Sequence, residues 1–117
     1  MTQYVVLLPG DESAWAAATE DQRQQVYGVH REFAKLLEER GHRVTGGSEL
    51  AHSSQAKVLR TDADGNQTVT DGPYAETVEQ LTGFYLIQSD DVDDLVQCVG
   101  ILADGEGGLE VRRCLEM

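Results

Sequence analysis

Basic residues are scarce in this chain: 9 Lys and Arg stand against 21 Asp and Glu in 117 residues, a formal charge of −12. Nucleic acids are bound largely through Lys and Arg that displace counterions from phosphate, so the deficit argues against direct contact with DNA or RNA. Solubility is the plain meaning of such acidity, and an acidic interaction surface is the alternative. Cysteine is nearly absent. Cys98 and Cys114 form no CxxC pair and read as small apolar groups rather than a disulfide. No run approaches the roughly 20 apolar residues of a membrane helix. The opening MTQYVVLLPGDES has neither the basic start nor the small-residue cleavage site of an export signal, which points to the cytoplasm. Linkers, repeats and low-complexity segments are also lacking, so residues 1–117 read as one domain. That length buries about two-thirds of the surface an unfolded chain exposes.

What is present alternates strands and helices. Residues 4–8 (YVVLL) form a β-rich apolar run, with Pro9-Gly10 as its stop and a loop carrying Trp15 after it. An amphipathic helix is expected from about residue 21 to 40. Thr19 and Gln22 have capping-box spacing, Gly41 supplies the stop, and Val26, His30, Phe33 and Leu37 share one stripe. Strands are expected at 43–50, 56–61 and 67–70, the last two joined by an Asp-Gly turn within residues 62–66. GFYLIQ at 83–88 is apolar on both faces, as a central strand would be. Ser89 is placed to cap a second helix, whose positive end gathers Asp90, Asp91, Asp93 and Asp94. Its stripe is Val92, Leu95, Val96, Val99 and Leu102; Gly105, Gly107 and Gly108 end it, and 109–113 is a last strand. This order fits an α+β fold, a ferredoxin-like antiparallel sheet with two helices on one face. The bare face then needs a partner, which a homodimer stacked into an α+β barrel provides.

Most chemical motifs fail on inspection. The glycine of the 62–66 turn comes too early for an EF-hand loop, and Pro73 stands where its closing Glu belongs. The glycines near 105 do not lead from a strand into a helix, GxSxG is missing, and three scattered histidines give a metal no ligand set. No cofactor is expected. His30 stands out because it interrupts an apolar stripe, although a hydrogen-bonded core histidine looks the same. In Asp71-Gly72-Pro73 the proline fixes its own φ and so positions the Asp, as an ordinary turn also does. A carboxylate that orients an imidazole makes an acid/base group working near neutral pH. His30 and Asp71 are therefore the candidate catalytic pair, with Trp15, Arg60, Tyr74, Glu76 and Phe84 as candidate substrate contacts.

The stretch TDGPYAETVEQLTGFYLI, together with Gly10-Asp11-Glu12, Trp15 and Glu110-Val111-Arg112, resembles the signature of the DGPF subgroup of YCII-related proteins. Val78 stands where that pattern usually has lysine, Thr82 where it has glycine, and Tyr74 where it has phenylalanine. The resemblance implies a dimeric ferredoxin-like barrel, an unknown small-molecule ligand and a His–Asp active site. The alternative it implies is a non-catalytic regulatory module linked to sigma-factor-dependent transcription.

Overall fold

A computed structural model describes residues 1–103 and 108–116. Six strands and three α-helices follow in the order β1 (Thr2–Asp11), α1 (Glu12–Ala17), α2 (Glu20–Glu39), β2 (Arg43–Glu49), β3 (Lys57–Thr61), β4 (Gln67–Asp71), β5 (Glu79–Ser89), α3 (Val92–Val99) and β6 (Glu110–Arg113). Four of them form an antiparallel sheet in the order β2-β5-β1-β6, while β3 and β4 form a separate hairpin. Helix and strand are mixed, the sheet is antiparallel, and among the described residues it does not close into a barrel.

Helix α2 is fixed at both ends by its sequence. The Thr19 hydroxyl accepts from the Gln22 amide at 3.1 Å, and the Gln22 side chain accepts from the Thr19 amide at 2.9 Å. Between the caps, Phe33 and Leu37 are fully buried against Val6 of β1, Ile87 of β5 and Leu95, Cys98 and Val99 of α3. Each large side chain buried there contributes about 1.5–3 kcal/mol, and together they clamp α2 and α3 to one face of the sheet. The opposite face alternates with it. Val5 lies opposite Leu86 and Leu7 opposite Phe84, all four only partly covered.

The structure corrects the sequence reading in four places. Strand β1 does not stop at Pro9-Gly10 but runs on to Asp11, because a register shift between Leu8 and Pro9 absorbs the missing proline N–H. A six-residue helix, α1, replaces the loop around Trp15, capped by Asp11, whose carboxylate accepts from the amides of Ser13 and Ala14. Asp91 rather than Ser89 caps α3, since Ser89 is still paired in β5 and its hydroxyl is spent on His42 and the Asp91 backbone. On α3 the buried face is Leu95, Cys98 and Val99, with Val92 and Val96 turned outward. The helical segment ends with a short 3-10 turn at Gly100–Leu102; Gly105 and Gly107 lie outside the described residues.

Candidate functional site

The first half of α2 carries the site. Tyr27 and His30 lie one turn apart on the same side, just before the core anchors Phe33 and Leu37. The Tyr27 hydroxyl donates to the Glu49 carboxylate at the end of β2, 3.1 Å from one oxygen and 3.2 Å from the other. The Trp15 ring of α1 meets Tyr27 edge to face at 5.6 Å between centroids. Arg23 ties the two helices together, its guanidinium donating to the Trp15 and Ala16 carbonyls and lying 5.6 Å from the Trp15 ring centroid.

His30 reaches inward to β5, where its Nδ1 is 2.6 Å from the Tyr85 hydroxyl and the two rings stack at 5.8 Å. Tyr85 in turn packs against Phe33 at 5.2 Å, so the buried core holds the position of the His30 partner. Burial pushes the His30 imidazole below its ordinary range, against an opposing pull from Glu49, and burial pushes the Tyr85 phenol up. The result at neutral pH is an uncharged imidazole joined to an un-ionised phenol. Only its Nδ1 is hydrogen-bonded among the described residues.

These groups border a cavity of about 1070 Å³ walled by α1, the start of α2 and the ends of β2 and β5. At Gly47, on this wall, φ is +141°, and a side-chain carbon would fall 2.5 Å from the Phe84 carbonyl oxygen. Only glycine lets β2 run this close to β5.

A second groove, of about 600 Å³, shares Asp11, Glu12 and His52 with the first and extends to Asp71 and Glu76. Glu12 is buried, and its carboxylate accepts from the Ser53 amide at 2.8 Å and the Ser53 hydroxyl at 2.6 Å. The Ser53 hydroxyl holds the Glu12 carboxyl below its usual range, more than burial raises it. His52 Nδ1 accepts from the Ser54 amide, which places the ring proton of the neutral form on Nε2, 3.5 Å from Glu12.

The structure divides the residues singled out from the sequence. His30, Trp15 and Phe84 line the large cavity; Asp71 and Glu76 line the smaller groove. His30 and Asp71 are not joined within one chain. His30 is bonded to Tyr85, while exposed Asp71 is paired with Lys57. Arg60 and Tyr74 line neither cavity. They hold each other on the hairpin, Arg60 donating to the Tyr74 carbonyl at 3.1 Å with its guanidinium 5.6 Å from the ring centroid. Tyr85, Glu49, Tyr27, Glu12 and His52 escaped the sequence reading. The alternation of β5 contained a signal for Tyr85, since it shares the buried face with Ile87, and Glu12 stood in the Gly10-Asp11-Glu12 stretch without a role, whereas nothing local marks Glu49.

His42, Asp94 and Cys98 also come together, their ligand atoms all within 4.8 Å of one another. They are already satisfied as protein. His42 Nδ1 is 2.8 Å from the Ser89 hydroxyl, its Nε2 is 2.7 Å from Asp94, and Arg40 pairs with the other Asp94 oxygen. Burial raises the Cys98 thiol, which keeps it protonated. This cluster binds the end of α2 to the start of α3.

Comparison with known proteins places the whole chain. Residues 2–117 match the YCII-related domain. An uncharacterized protein of Rhizobium meliloti is 33% identical over 112 residues, spanning 93% of this chain and 89% of that relative. No helix is long and apolar enough among the described residues to cross a membrane. The chain belongs to the YCII-related family.

Proposed function

We propose that this YCII-related chain, a member of the DGPF subgroup with a ferredoxin-like layer, works as a homodimer whose large cavity binds a small molecule beside an acid/base group, His30. The observation that carries the reading is the His30–Tyr85 contact on the cavity wall. One ring nitrogen is engaged by a phenol that the core holds still, and the other is left for whatever the cavity contains. An imidazole kept neutral by burial is a base at physiological pH. Asp71 serves the adjoining groove, where Glu12 and His52 supply further polar contacts.

Dimerisation is supported by what the single chain leaves uncovered. Val5, Leu7, Phe84 and Leu86 form an incompletely buried apolar face on the sheet. Leu59, Val69, Tyr74 and Val78 are 57–80% exposed on and beside the β3–β4 hairpin. The radius of gyration is 16.5 Å, against about 13 Å for a compact domain of this length. A second copy would cover both surfaces and close the sheets into a barrel. Sedimentation should give about twice the chain mass of 12.8 kDa; a stable monomer in dilute solution would rule the assembly out. A crystal structure of the recombinant protein with the small molecule it carries should show that molecule within hydrogen-bond reach of His30. Density seated elsewhere would remove the site.

The charge of −12 supports a second reading, a non-catalytic module whose acidic surface meets a basic protein such as a sigma factor. Salt-sensitive co-purification of that partner, with cellular function surviving His30→Ala, would favour it over the first. Loss of a measured turnover in His30→Ala would favour the enzyme.

A further inference from the structure

The large cavity is lined by carboxylates and aromatics, and its described lining contains neither Lys nor Arg. Asp11, Glu12, Glu49 and Glu79 supply the acids; Trp15 and Tyr27 stand at one side. We infer that the cavity takes an organic cation, a protonated amine on an apolar body. The inference rests on the cavity being a small-molecule site and adds the charge of what enters it.

An anion entering here would give up its hydration and face four carboxylates, the neighbouring Arg23 guanidinium being already committed to the Trp15 and Ala16 carbonyls, a cost that rises as the local dielectric falls. An ammonium meets the opposite. Glu49 is fixed from one side by the Tyr27 hydroxyl, and a carboxylate so held keeps lone pairs for further donors. The Trp15 ring is a surface of the kind cations favour, with the Arg23 guanidinium 5.6 Å from its centroid, and Tyr27 adds a second aromatic ring beside it. Neutral His30 adds no competing positive charge. The field of the whole chain, at −12, draws cations inward. A bare metal ion fits the site poorly, because it needs several converging oxygens. The donor cluster tight enough for an ion among the described residues, His42–Asp94–Cys98, lies outside this cavity.

Trp15 is the sole tryptophan, so its fluorescence reports occupancy directly. Benzylamine, benzoate and benzyl alcohol, titrated at low salt, present one ring with three charges. The expected result is an affinity for benzylamine at least about tenfold above that for benzoate. Glu49→Gln, which preserves an acceptor for Tyr27, should weaken benzylamine about fivefold and leave benzyl alcohol unchanged. Benzoate binding as tightly as benzylamine, or an amine affinity untouched in a folded Glu49→Gln protein, overturns the inference. Benzyl alcohol or benzoate binding without the amine overturns it too, yet leaves the cavity a small-molecule site. Silence from all three probes at millimolar concentration removes both. The comparison of probes on the unaltered protein stands even if the variant fails to fold.

Discussion

Two histidines on either side of the same core have opposite surroundings. His42 is buried with both ring nitrogens occupied, one by Ser89 and one by Asp94. His30 is half-buried with one nitrogen held by Tyr85. The difference separates a fastener from a working group. A side chain whose every donor and acceptor is satisfied internally stabilises the fold and has nothing left for a ligand. One whose orientation is fixed through a single contact keeps capacity for chemistry.

The contrast can be tested by substitution, beginning with the packing both sites depend on. Phe33→Ala removes a fully buried ring and should cost about 3–5 kcal/mol in urea unfolding, with Tyr85 losing its support. His42→Ala should cost about 1–2 kcal/mol, because it removes a buried ring and one hydrogen bond each from Ser89 and Asp94, which keep Asp91 and Arg40 as partners, and should leave benzylamine binding unchanged. His30→Gln should cost less than about 1 kcal/mol while altering ligand binding or turnover. Equal stability losses at the two histidines would erase the distinction.

The smallest effect is on pH dependence. The folded His30 lies below the ordinary value of 6.5, so the unfolded chain takes up its proton first. Stability is therefore complete above about pH 6.5 and is lost as pH falls toward the lowered folded value. His30→Gln should flatten that part of the stability profile. Glu12 contributes in a more acidic window. Its carboxyl is held below the usual 4.5, so its contribution is present above that pH and is lost on further acidification. Glu12→Gln should leave the His30 region of the profile unchanged.

Much of the fold was legible because its signals are local. Thr19, Gln22 and Gly41 bound α2 where their capping chemistry puts them. The Asp62 carboxylate accepts from the Asp64 and Asn66 amides to close the expected turn. Gly72, before Pro73, takes φ +100°, a conformation that glycine adopts freely in such a turn. The misreadings arose where a distant partner decided the matter. Pro9 ends a strand in isolation, but β5 carries β1 past it. Ser89 looks like a cap until His42, 47 residues away, claims its hydroxyl. At the site, helical spacing identified His30, and the motif around Asp71 identified a rigid turn. Neither could place them in different cavities, because that depends on how α1 and the β3–β4 hairpin pack.

His30 offers an uncommitted ring nitrogen where His42 does not. Brief treatment with diethyl pyrocarbonate near neutral pH, read by peptide mass spectrometry, tests it directly. Carbethoxylation is expected at His30, with His42 protected until the protein unfolds. His30 as resistant as His42 in the folded protein would contradict it.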